Sequence, residues 1–180
     1  MDGVTAGFIG GPGEAADTES VAGVSALFRA HHLELVRLAL VMVGDLAAAE
    51  DVVQDVFERL HRRWHRLRNR DSALAYARSA VLNGCRSAHR RAAVARRHLA
   101  ALQAGAGPPD AAQAAADRSE LAVALRALPH RQREVLVLRY YLDLDIAEIA
   151  ATLRINPSTV RSTSARGLAA LASALREGER

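Results

Sequence analysis

Near the middle of this chain two adjacent prolines, Pro108 and Pro109, stand in the run Gly105-Ala106-Gly107-Pro108-Pro109-Asp110. A helix does not continue through such a run, because proline lacks the N–H of the helical ladder and its ring clashes with the preceding turn. Residues 98–116 therefore read as a flexible linker, dividing the 180 residues into one segment over 24–97 and another over 117–180. Each segment is long enough for one small domain.

Both segments read as helices, so the expected fold is all-α: two small helical domains, the C-terminal one a four-helix domain. Half of the residues are apolar but only 4% are aromatic, and Ala and Leu, strong helix formers, dominate. In the first segment Leu27, Phe28, Leu35, Leu38, Ala39 and Met42 recur at helical spacing and predict a helix over 25–43. Gly44 is placed to cap it and Asp45 to start the next. A second helix over 47–64 would bury Val52, Val53, Val56, Phe57, Leu60 and Trp64. A polar turn over 67–72 then leads to a third helix over 73–97. Beyond the linker, helices are expected over 117–127, 130–141, 145–153 and 157–176. Residues 1–23 carry Asp2, Glu14, Asp17 and Glu19, no basic residue and no sustained apolar period, and read as a disordered tail.

The net charge of +4 hides a strong segregation. Asp45, Glu50, Asp51, Asp55 and Glu58 fall together with no arginine among them, whereas residues 59–97 hold twelve arginines and only Asp71. A basic block of that kind repels itself, and a polyanion such as nucleic acid is its natural partner. Asp51, Gln54, Asp55 and Glu58 share one face of the second helix. DNA would repel that face, so a basic protein surface suits it better.

Asn156 and Pro157 carry a second signal. Asn is a good N-cap, and proline fits the first helical position, where its missing N–H costs nothing. Ile146, Ile149, Ala150 and Leu153 give the preceding helix an inward stripe. Val160, Leu168, Leu171 and Leu175 are expected to do the same for the last one. Ser158, Thr159, Arg161, Ser162, Ala165 and Arg166 are left on the outer face of its N-terminal half, where a helix-turn-helix contacts bases in the major groove. Arginine suits guanine edges and phosphates alike.

Other functions find little support. Cys85 is the lone cysteine, so no internal disulfide and no cysteine-based zinc site can form. His61 and His65 are spaced for a metal, but arginines flank both and would repel a cation. No nucleophilic triad or carboxylate pair is evident, so no catalysis, cofactor or metal is expected. The N-terminus lacks the basic and apolar regions of a signal peptide, and no apolar run approaches the ~18 residues of a membrane span, which suggests a cytoplasmic protein and no membrane partner.

Three motifs in series carry a family resemblance. Ala49-Glu50-Asp51-Val52-Val53-Gln54-Asp55-Val56-Phe57, the segment from Tyr76 through Asn83 to Arg91, and Leu128 to Tyr140 with Glu148-Ile149-Ala150 and Thr159-Val160-Arg161-Ser162 resemble the extracytoplasmic-function subfamily of the sigma-70 family RNA polymerase sigma factors, particularly its small actinobacterial SigE-like group. The resemblance covers about residues 24–176. It implies a factor that binds core RNA polymerase, recognises −35 and −10 promoter elements and promotes DNA melting. Asp51, Gln54, Asp55 and Glu58 would dock on the β′ coiled coil. Arg78, Asn83, Arg86, Arg90 and Arg91 would hold the −10 region, and the loop with Arg68, Asn69 and Arg70 would capture a flipped base. The last helix would read −35. The implied partners are core polymerase, through its β′ coiled coil and β flap, and promoter DNA, with an anti-sigma factor as a further candidate. Arg154 stands where the family usually has glycine and Ser164 where leucine is common. From the residues alone, the rival is a stand-alone helix-turn-helix regulator that binds duplex DNA without polymerase.

Overall fold

The structure is a computed structural model that describes residues 12–67, 72–102 and 120–178, and among these residues no strand is present. The first three helices are α1 (Pro12–Val43), α2 (Leu46–Arg63) and α3 (Ala73–Leu102). The C-terminal ones are α4 (Glu120–Ala127), α5 (His130–Leu136), α6 (Ile146–Leu153) and α7 (Pro157–Gly178). The 98–116 linker and the start of the C-terminal segment at Asp117 lie largely outside the described residues, except that α3 runs on to Leu102. The tail expected over 1–23 is helical from Pro12 onward, and residues 1–11 lie outside the description. Proline at the first helical position and the alanines at 15, 16 and 22 favour that helix. Tertiary contact reinforces it: Ser20 is buried and donates to the carbonyl of His61 at 3.3 Å, and Gly23 lies against the Trp64 ring.

Helices α1 to α3 close around one another because each offers an apolar stripe at helical spacing. Leu35, Leu38, Ala39 and Met42 of α1 meet Ala49, Val53, Val56 and Leu60 of α2 and Ala77, Val81, Leu82 and Cys85 of α3. Two local devices set the α1–α2 corner. Gly44 adopts φ +82°, and its N–H reaches back to the carbonyl of Leu40 at 2.7 Å, ending α1 in a left-handed turn. Asp45 then caps α2, its carboxylate accepting from the N–H of Ala48 at 2.8 Å. His61, Arg62 and Arg63 occupy the last turn of α2, where positive charge suits the helix dipole. Trp64, opening a 3₁₀ turn over Trp64–Arg66, is buried, as expected for a core residue.

In the C-terminal group α5 passes into a π-helical segment, Val137–Tyr141, before the chain turns through Asp143 at φ 51°. Asp145 starts α6 with a reciprocal capping box. It accepts from the N–H of Glu148 at 2.7 Å, while the Glu148 carboxylate accepts from the Asp145 N–H at 2.8 Å. Helix α7 packs on α4, α5 and α6. Its buried residues are Val160, Thr163, Ser164 and Gly167, whereas Leu168, expected inside, is 42% exposed. Small residues face inward because α5 lies close: a Cβ at Gly167 would stand 3.2 Å from Leu136.

The C-terminal helices dock on the N-terminal ones, α6 against α3 and α4 and α5 against α1. Leu35 and Val81 on one side and Leu138 and Ile149 on the other belong to a single continuous cluster of buried residues.

Candidate nucleic-acid interface

The turn of the helix-turn-helix is built from backbone. Helix α6 ends at Arg154, which adopts φ 53° and ψ 52°, the left-handed conformation that glycine takes most easily. The N–H of Ile155 bonds the carbonyl of Ala150 at 3.0 Å, and that of Val160 bonds the carbonyl of Asn156 at 3.1 Å, which opens α7 behind Pro157. The left-handed turn is thus kept although arginine replaces the usual glycine.

Above the buried stripe of α7, all six residues expected to read DNA are exposed: Ser158, Thr159, Arg161, Ser162, Ala165 and Arg166. Ser162 donates to the carbonyl of Thr159 at 3.2 Å and Arg166 to that of Ser162 at 3.2 Å, so both side chains lie along the helix. Arg161 borders an open groove with Tyr140, Asp143 and Asp145.

On α2 the four acidic-face residues, Asp51, Gln54, Asp55 and Glu58, are all exposed above the buried Val52, Val53, Val56 and Phe57. Arg59 pairs with Asp55 at 2.9 Å and Arg62 with Glu58 at 3.8 Å, one turn along the helix. Such solvent-exposed pairs are weak, worth about 0.3–0.5 kcal/mol, and leave both carboxylates free to meet a partner.

The basic third helix is less uniform. Asn83, Arg90 and Arg91 are exposed. Arg78 is committed elsewhere, since its guanidinium bonds Glu34 of α1 at 2.8 Å with only 15% of the side chain exposed. Arg86 donates to Asn83 at 2.8 Å and reaches across to Glu134 of α5 through two bonds of 2.6 and 2.7 Å. Arg68, Asn69 and Arg70 lie outside the described residues.

Glu134 was not singled out by sequence, yet it is the focus of this region. Its side chain is 1% exposed and also contacts Arg131 at 3.1 Å and His130 at 3.3 Å. Burial alone would raise its pKa, but the His130 hydrogen bond and the charge of Arg86 outweigh burial and hold the carboxyl below its ordinary range. Its neighbour Arg133 is buried too, donating to the carbonyls of Met42 at 2.7 Å and Arg126 at 2.6 Å. The available signal was the charged run His130-Arg131-Gln132-Arg133-Glu134 immediately before the apolar Val135-Leu136-Val137-Leu138.

The match to known proteins follows the same two groups of helices. The family model described as Sigma-70 region 2 matches residues 27–95, and that described as Sigma-70, region 4 matches residues 118–171. The RNA polymerase sigma-E factor of Streptomyces coelicolor is 34% identical over 141 residues, covering 76% of this chain and 77% of that protein. The ECF RNA polymerase sigma factor SigL of Mycobacterium tuberculosis is 34% identical over 159 residues, covering 84% of this chain and 88% of its own. The chain belongs to the extracytoplasmic-function sigma factors of the sigma-70 family.

Solved structures share the fold of this sigma factor. CnrH, in complex with the cytosolic domain of CnrY, superposes with a TM-score of 0.65 at 23% identity, covering 89% of this chain and 95% of that one. The sigma factor RpoE from Bartonella quintana, in complex with the anti-sigma factor NepR, gives a TM-score of 0.61 at 19% identity, covering 91% and 98%. In this sigma factor the ion pair between Arg86 and Glu134 joins the region 2 segment to the region 4 segment. Among the described residues no helix is long and apolar enough to cross a membrane.

Proposed function

We propose that this sigma factor, working in the cytoplasm and without catalysis of its own, binds core RNA polymerase and places it at promoters by two separate DNA contacts. Residues 24–97 form the part that holds polymerase and the −10 element, 117–180 the part that reads −35, and 98–116 the linker between them. The exposed face of α7, from Ser158 to Arg166, carries this reading: side chains suited to base edges and phosphates stand clear of the stripe that packs the helix. Asp51, Gln54, Asp55 and Glu58 dock on the basic surface of the β′ coiled coil, and the β flap receives the region 4 segment. Asn83, Arg86, Arg90 and Arg91, with Arg78 at their margin and the loop of Arg68, Asn69 and Arg70, hold the −10 strand once it is opened. An anti-sigma factor is a further candidate partner, as for the Bartonella relative.

A gel-shift assay with and without core enzyme tests this function, with run-off transcription beside it. The expected result is specific promoter binding and defined start sites only when core is present. Tight, sequence-specific binding by the free protein that core does not alter would overturn it and favour a stand-alone regulator.

A further inference from the structure

In the described arrangement the two DNA-binding segments are fastened to each other, and the fastening uses a side chain assigned to DNA. Arg86 holds Glu134 through Nε at 2.7 Å and Nη2 at 2.6 Å, and its remaining nitrogen donates to Asn83. Glu134 is closed in on the other side by Arg131 and His130. Beside this pair Arg133 ties α5 to the end of α1 by donating to the carbonyl of Met42. A buried carboxylate bound by a guanidinium through two nitrogens is a strong, directional contact, because in a water-poor setting each charge lacks an alternative partner.

A second observation comes from geometry. Segments in contact cannot lie on −35 and −10 elements about two turns of duplex apart, roughly 70 Å at ~34–36 Å per turn. The docked chain must therefore open before it can engage both. The exposed faces of α2 and α7 are not involved in the fastening. Only Arg86 and Asn83 are occupied by it.

We propose that Arg86 and Glu134 form an intramolecular clasp that holds the free sigma factor closed and keeps its −10 helix from DNA until the outer faces have engaged polymerase. The clasp rests on the assignment of Arg86 to −10 binding. In the closed chain the guanidinium is neutralised by Glu134, and opening exchanges that carboxylate for promoter phosphates or bases. A fraction of open chains smaller than one lowers the apparent affinity for polymerase in proportion.

Cys85, next to Arg86 and fully buried, supplies a native reporter of opening, since Glu134 and Arg133 of the other segment both act electrostatically on its thiol. The test uses the full chain and the variants Glu134→Gln, Arg86→Gln and the double variant. Readouts are the labelling rate of Cys85 by a thiol reagent, the radius of gyration in solution, core affinity, and binding of forked −10 DNA by the assembled holoenzyme. Glu134→Gln is expected to speed labelling about tenfold, enlarge the molecule and tighten core binding about three- to tenfold. The double variant should be no more open than either single one, because both remove the same contact. Labelling and size unchanged in both single variants would overturn the clasp, whatever happens to DNA. Arg86→Gln that opens the chain yet leaves forked-DNA binding intact would refute instead the −10 role of Arg86. Circular dichroism checks folding, and should Glu134→Gln not fold, Arg86→Gln carries the same test, as its side chain is one-third exposed.

Discussion

At the scale of single residues, two positions are held in states their chemistry resists. Arg154 occupies a left-handed conformation at φ 53°, where its Cβ crowds the backbone, at a cost of about 1–2 kcal/mol. Arg154→Gly removes that crowding but gives the unfolded chain more freedom, so the net gain should be about 0.5–1 kcal/mol. A urea titration checks this as a higher midpoint with an unchanged slope. Glu134 is the opposite case, a charge made stable by its neighbours. Its folded pKa lies below the ordinary value of 4.5, despite burial, because of His130 and Arg86. A depressed carboxylate contributes stability that is present above the unfolded pKa and lost as pH falls through the folded one. Stability should therefore decline as pH drops below about 4.5, and Glu134→Gln should flatten that decline in thermal melts recorded across the acid range. Burial pushes the Cys85 thiol up to about 12, with the charge of Glu134 adding to it. At pH 8 the closed wild-type chain should then react with thiol reagents far more slowly than free cysteine, since the thiolate is the nucleophile.

At the scale of elements, α2 and α7 are each divided into a packed face and a working face. On α2 the acids stand on the exposed side, so reversing Asp51 and Asp55 to arginine leaves Val53, Val56 and Leu60 in place. The helix should stay folded by circular dichroism while core affinity falls about tenfold or more, the response of a charged docking surface. On α7, Arg161→Ala should lower promoter binding by about 1–3 kcal/mol if the guanidinium reads a guanine edge. Competition between promoters altered base by base at −35 checks this, because a phosphate contact would weaken all sequences equally.

At the scale of the whole molecule, the docking of the two groups of helices makes one continuous core out of two sets of apolar stripes. Leu82 and Leu138, on opposite sides, are both fully buried. Leu138→Ala would leave a cavity and should destabilise the chain by about 2–5 kcal/mol, measured by denaturant unfolding. The polar contacts at the junction are of a different kind. Charges buried in pairs favour one particular alignment of the segments more than they add stability, because desolvation offsets much of their attraction.

Much of the local structure is legible in the order of residues. Asp45 and Asp145 announce the starts of α2 and α6, Pro157 that of α7, and Gly44 the end of α1, since caps act within one helical turn. The acidic face of α2 and the polar outer face of α7 follow from helical periodicity alone, and the family motifs gave their order along the chain. The inward stripe of α7 was only partly legible. Periodicity pointed to large residues such as Leu168, but the close approach of α5 selects Thr163, Ser164 and Gly167. The helix before Gly23 was missed because its support, the Ser20 hydrogen bond and the Trp64 ring, comes from residues some forty positions away.

The sequence by itself determined an all-helical chain with a basic third helix and a capped helix-turn-helix, because periodicity, capping and charge are properties of neighbours along the chain. Only the tertiary structure decided that Arg86 faces Glu134 rather than solvent, and that Arg78 is committed to Glu34. The reason is physical. An arginine's role is set by which carboxylate lies within a few ångströms and how much water remains between them, and for pairs separated by 48 and 44 positions that distance is fixed by packing, not by spacing in the sequence.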